Sequence, residues 1–259
     1  MVAIKRYTAL LCLLLLVSCA GKTKEHALSA DPKARWQEYL ADKKTTGPFR
    51  LTMSLRLGTK GDTRRVTALL WGNDATTLRL DVMAGIGSTI AKVRSTPTSF
   101  LLVAPVDKKA FAHNGTNQPR LKLGGIPLPL SVQNVAAILN GSYTEAFGTE
   151  YTAHEEGKNG AVRYSLAGPL PGSLELDGNG NPHIWRGNGG WIMTMVYDET
   201  KKPVKLELHK GGGEQFVLFV KEREETQTFT DDQLSLAVPP SFPILPLKKY
   251  AEHQKLADR

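Results

Sequence analysis

The chain has 259 residues, 41% of them hydrophobic, and a formal net charge of +8. That length allows one sizeable domain with its own core, or two small ones. Both cysteines, Cys12 and Cys19, fall in the first nineteen residues, which excludes a disulfide framework in the rest.

The chain starts with a short positive stretch, Lys5 and Arg6, followed by an apolar run from Ala9 to Val17. A bilayer span takes roughly 20 apolar residues, so this run is too short to cross one. A charged start, a short apolar segment and a small residue at the cut describe a secretory signal peptide. Residues 1–18 are therefore read as the signal. Leu16-Val17-Ser18-Cys19 resembles the bacterial lipobox. That resemblance implies cleavage before Cys19 and lipidation of its thiol. Ala20 follows it, not Asp, which by bacterial lipoprotein rules points to the outer membrane, on its periplasmic face. Residues 19–30 are polar and small and read as a lipidated tether.

Removal of Lys5 and Arg6 leaves +6, a charge suited to an anionic lipid surface or an acidic partner. Nucleic acid is not expected. The charges are scattered, and no basic run with interleaved aromatics occurs.

Asp31-Pro32 supplies an N-cap and a first-turn proline, and Trp36, Tyr39 and Leu40 share one face of a helix reaching about Lys44. From Gly47 the period becomes two. Leu51, Met53, Leu55 and Leu57 alternate with polar residues, as in a strand with one wet face. Further strands are expected over 65–71, 78–82, 89–94 and 99–104, with Pro105 interrupting the last. Residues 114–130 are rich in turn formers, and Pro127 and Pro129 forbid a regular central strand or helix there. Ser131 caps a short helix that Gly141 ends, with Val135, Ile138 and Leu139 on one face. More strands follow over 151–154, 161–166, 173–177, 183–186 and 191–197, then a hairpin of 204–209 with 215–221 across three glycines. Residues 239–259 read as a Pro-rich, polar tail with a disordered end.

The expected fold is mainly β: a domain over 31–238 with ten or eleven strands in one curled antiparallel sheet, and two or three helices. If such a sheet closes only into an incomplete barrel, its inner apolar face must be covered by helices, by ligand or by both.

Two segments carry a family resemblance. The first is Trp71-Gly72-Asn73-Asp74 with the run from Leu78 to Thr89, a strand, turn and strand ending in an apolar-Gly-Ser-Thr loop. The second is Gly125-Ile126-Pro127-Leu128-Pro129-Leu130 leading into the helix of Val135 to Gly141. Both resemble the LolB family of outer-membrane lipoprotein receptors, over roughly residues 48–222. The resemblance implies a half-barrel with a helical lid over a hydrophobic cavity, which accepts lipoprotein acyl chains from a LolA-like periplasmic carrier and inserts them into outer-membrane lipid. It also implies an exposed apolar residue on a protruding loop, here Ile86 between Gly85 and Gly87. The family commonly has Leu there; Ile keeps the apolarity and changes the shape. Independently of the family, two glycines permit a tight exposed turn in which an apolar side chain is hard to hide.

The expected cavity lining is Leu51, Met53, Leu55, Leu69, Trp71, Leu80 and Val82, with Val135, Ile138 and Leu139 as lid. The sequence leaves open which strand parity faces inward. The alternative is a structural or envelope-assembly lipoprotein whose sheet binds protein. No enzyme, cofactor or metal is expected. Gly85-x-Gly87 is followed by a strand pattern, not a helix, so it fails as a dinucleotide loop. The histidines lack zinc-ligand spacing, and Asp177 to Asn181 reads as a hairpin turn and not a calcium loop.

Overall fold

The computed structural model describes residues 31–41, 47–59, 61–85, 87–123, 125–157, 161–225 and 228–250. The signal segment, Cys19, the tether and Ile86 lie outside the described residues.

In chain order the elements are α1 (Pro32–Ala41), β1 (Phe49–Thr59), β2 (Asp62–Gly72), β3 (Leu78–Ala84), β4 (Ser88–Thr96), β5 (Ser99–Ala104) and β6 (Lys109–Asn114). A small hairpin, β7 (Lys122–Leu123) and β8 (Ile126–Pro127), leads to α2 (Val132–Asn140) and α3 (Tyr143–Phe147). Then come β9 (Ala153–Glu156), β10 (Val162–Leu166), β11 (Gly172–Leu176), β12 (Pro182–Gly187), β13 (Trp191–Tyr197), β14 (Pro203–Lys210) and β15 (Glu214–Glu225). The described chain ends with α4 (Asp231–Leu234) and β16 (Ile244–Pro246).

Among the described residues, fourteen strands form one sheet in the order β16, β6, β5, β4, β3, β2, β1, β15, β14, β13, β12, β11, β10, β9. Two antiparallel meanders, β1 to β6 and β9 to β15, are thus joined where β1 pairs with β15. The result is a curled, unclosed sheet with α1, α2 and α3 on its concave side, an incomplete barrel.

Register decides which side chains point inward. Leu51 pairs with Leu70 and Met53 with Ala68 across β1 and β2. Leu70 pairs with Leu80, Leu80 with Val93, Val93 with Leu102 and Leu102 with Phe111. Directly opposed residues share a face, so one apolar stripe crosses six strands. The stripe continues on the other side through Leu55 and Leu218, Leu206 and Met195. All of these residues are buried.

Three of the helices, α1, α2 and α3, cover this concave face. Ser131 caps α2 in a reciprocal pair with Asn134, and Gly141 closes it at φ 79° in the left-handed region. Val132, Val135, Ala136, Ala137, Ile138 and Leu139 are buried beneath it. α1 is tied down by polar bonds at the edge of its aromatic packing. The Trp36 indole donates to the Thr149 carbonyl at 3.2 Å and the Tyr39 hydroxyl to that of Gly148 at 2.8 Å. Tyr164 donates to Pro32 O at 2.7 Å, and burial pushes its phenol up to about 12, which keeps it a neutral donor.

Leu69 and Trp71 correct the sequence expectation. Because Leu70 faces inward, its neighbours on β2 face the convex side. There a C-terminal strap crosses the sheet. The Trp71 indole donates to Gln233 O at 3.2 Å, the Arg79 guanidinium lies 5.0 Å from the Trp71 ring centroid, and Arg94 donates to Leu234 O at 3.1 Å. Arg79 also donates to Ser235 O and pairs with Asp81 at 3.0 Å. Asn73 exchanges two bonds with Phe229, at 2.9 and 2.7 Å.

The stretch from Pro239 is a second correction. Its composition is that of a tail, but residues 244–246 extend the sheet as a parallel partner of β6. Prolines flank this strand, which an edge position tolerates. β6 itself was missed because Ala110 and Ala112 give its alternation little contrast.

Candidate functional site

The concave face is not filled. A cavity of about 150 Å³ lies between β3, β4 and β5 and the segment leading into β7. Leu80, Val82, Ala91, Val93, Phe100 and Leu102 form its sheet wall. Leu121 and Leu123 close it from above, and Leu247 and Tyr250 come round the β16 edge to complete it. Tyr250 packs there against Phe111, with ring centroids 4.9 Å apart. A second void of about 20 Å³ adjoins through Leu80, Val82, Leu121 and Leu123, and reaches Met53, Leu55, Val132 and Val135. The two spaces share a wall made by one short hairpin segment.

The walls are apolar, and the polar groups sit at the margin. Arg120 and Lys122 border the larger cavity. Arg120 is also shared with a polar recess of about 420 Å³ lined by Gln118, Gln133, Asn134 and Glu145. An apolar pocket with a few polar groups at its edge is the arrangement of a small-molecule or lipid site.

Of the residues expected to line a cavity, Met53, Leu55, Leu80, Val82 and Val135 meet at these spaces. Leu51, Ile138 and Leu139 are fully buried in the surrounding core and do not border either void. Leu69 and Trp71 are on the opposite face. Sequence reasoning missed Leu121, Leu123, Leu247 and Tyr250. The Leu-Lys-Leu alternation at 121–123 carried a usable signal; a tyrosine in a polar tail carried none.

Gly85 and Gly87 end the β3–β4 loop at φ 57° and 85°, values that favour glycine, and both are exposed. Asp177 Oδ1 accepts from the Asn179 and Asn181 amides at 2.8 and 2.9 Å, so that loop is a closed hairpin turn.

Two carboxylates sit near the polar recess with opposite tendencies. Burial and the nearby Asp74 charge push Glu145 above its ordinary 4.5. Burial also pushes Asp74 upward, but the Thr76 hydroxyl and the Thr76 and Thr77 amides outweigh it and hold Asp74 low. For Glu145 the folded state binds protons more tightly than the unfolded state. Stability therefore falls as pH rises from the unfolded value through the folded one. Glu145→Gln removes that fall. The urea midpoint of the variant should exceed that of the parent at pH 7 and match it near pH 3. A higher parent midpoint at pH 7 would contradict the assignment.

No family model matches this chain. No curated protein matches it either. The fold does match solved structures. A LolA superfamily protein from Nitrosomonas europaea superposes with a TM-score of 0.54 at 10% identity, covering 79% of this chain and 97% of that one. A DUF1329 family protein from Desulfovibrio piger gives 0.52 at 9% identity, covering 78% and 96%. A domain assigned to outer-membrane lipoprotein sorting, from Vibrio parahaemolyticus, gives 0.50 at 11% identity, covering 78% and 95%. The chain has a LolA/LolB-like fold. At these identities the likeness concerns the fold alone.

Proposed function

We propose that this protein is a lipid-anchored receptor at the periplasmic face of the outer membrane. It binds acyl chains of lipoproteins handed over by a LolA-like carrier and passes them into the membrane. The observation that carries the reading is the apolar cavity on the concave face, walled by a sheet and closed by short, separable segments. The lipobox-like Leu16 to Cys19 and the fold likeness support it.

Energetics give the cavity its purpose. A chain of roughly 16 carbons exposed to water costs on the order of 12 kcal/mol at about 0.8 per methylene. A curved apolar wall removes that cost without covalent chemistry, and a bilayer accepts the chain at the end. About 150 Å³ is the size of an engineered cavity that holds one benzene. A full acyl chain thus requires the Leu121–Leu123 segment or the Leu247–Tyr250 segment to move.

Organic extraction of the purified protein followed by mass spectrometry tests the reading. Co-purified lipid, or saturable uptake of a hydrophobic dye, is expected. Absence of both favours the second reading, an envelope-assembly protein that binds partners through its sheet. The partly exposed Ile192, Val196 and Phe219 on the outer face of β13 and β15 are the observation in its favour. The loop has its own test. Ile86→Glu in a strain depleted of the native protein should leave lipoproteins mislocalised on membrane fractionation; normal delivery would refute the role of Ile86.

A further inference from the structure

Antiparallel order places the β1–β2, β3–β4, β5–β6 and β14–β15 turns along one rim of the sheet. Two apolar side chains stand out at its β6 corner. Val106, in the β5–β6 turn, is 69% exposed, and Ile244, at the start of β16, is 59% exposed. Ile244 lies beside Ala110, at the tip-proximal end of β6, so the two are near neighbours on the rim. The other large exposed apolar residues among the described ones, Ile192, Val196 and Phe219, reach only about 40% and lie within β13 and β15 and not in a turn.

The same rim carries an excess of cations. Arg56, Arg64 and Arg65 flank the β1–β2 turn, and Lys108 sits in the β5–β6 turn. All four are exposed. Among the described residues none of them is in an ion pair; Arg65 spends one N–H on the Ser54 hydroxyl. Acids on this rim are fewer: Asp62, Asp107, and Glu214, which is bound to Lys210. The opposite rim has no such excess: Asp74, Asp198, Glu199, Glu222 and Glu224 are matched by Arg50, Lys201, Lys202, Lys221 and Arg223.

We infer that the rim bearing Val106, Ile244 and the Arg56–Arg64–Arg65–Lys108 cations docks on an anionic bilayer surface, with the strands standing upright on it. Isolated apolar tips on tight turns suit a fluid, deformable partner. They offer no groove or flat face of the kind a protein partner packs against. Cations around them complement lipid phosphates, an excess that the charge-balanced far rim lacks. The β5–β6 turn is a rigid mount: Lys108 closes it at φ 50°, with its amide donating to Pro105 O at 3.2 Å. The inference rests on the membrane location of the reading above and not on the cavity's cargo.

The test places an environment-sensitive fluorophore on Val106→Cys, Ile244→Cys or, at the far rim, Thr98→Cys. The full protein is reconstituted with vesicles carrying a lipid-bound quencher, and the parent protein supplies the background from its own cysteines. In phosphatidylglycerol-containing vesicles the probes at 106 and 244 should blue-shift and be quenched at least threefold more than the probe at 98. The difference should collapse in pure phosphatidylcholine, and in a chain also carrying Arg64→Glu, Arg65→Glu and Lys108→Glu. Equal quenching at 98, none at 106 and 244, or no dependence on lipid charge overturns the inference. An acidic protein as the true partner would give the unquenched result. Dye uptake by the cavity is measured on the same samples, so loss of the cargo reading is distinguishable from loss of this one.

Discussion

Ala91→Phe should weaken binding of a fluorescent fatty-acid probe at least tenfold, about 1.4 kcal/mol, while the protein stays folded. Ala91 is half-buried, pairs with Val82 across β3 and β4, and lines the larger cavity. A benzyl group added there occupies the space that an acyl chain enters. Because it fills a void already present, the change in folding stability should stay within about 1 kcal/mol, below the usual 1–3 for overpacking. Fluorescence titration together with a urea melt checks both halves. Unchanged affinity with a folded variant would mean that the ligand enters elsewhere, and the cavity reading would fail.

Arg79→Ala should cost about 2–4 kcal/mol of stability, somewhat below the roughly 3–5 for breaking a fully buried ion pair, because Asp81 is partly exposed. Arg79 is buried, pairs with Asp81, packs on Trp71 and donates to the Ser235 carbonyl. Its loss leaves Asp81 without its cation and unpins the strap from the convex face. Trp71→Phe keeps the ring but removes the bond to Gln233 O, and should cost about 1 kcal/mol. Hydrogen exchange over 228–238 separates the two effects: strap amides should lose protection in the Arg79 variant far more than those of β13. Equal stability of parent and Arg79→Ala would show that the strap contributes nothing.

The strands with clear contrast were legible. Leu51 to Leu57, Leu78 to Val82 and the hairpin across Gly211 to Gly213 appear where period two placed them, and Ser131 and Gly141 bound α2 as their chemistry requires. Parity on β2 was not legible. Leu69, Leu70 and Trp71 are consecutive and all apolar, so only pairing with β1 and the strap above Trp71 separate inward from outward. The closing segment was hidden for another reason. Pro239 to Pro246 has the composition of a tail, and its order comes from long-range contacts with β6 and the cavity, which local pattern does not encode.

The junction of β1 with β15 has a consequence for how the chain acquires its shape. Within each meander the neighbours in space are neighbours in sequence, so each half-sheet can assemble from local contacts, which is fast. The junction instead brings Phe49 to Glu225 and must close a very long loop. Until β15 has docked, β1 is an unpaired edge beside an uncovered apolar face, open to wrong pairing with another chain. The last strand of the second meander therefore sets how long that edge stays open.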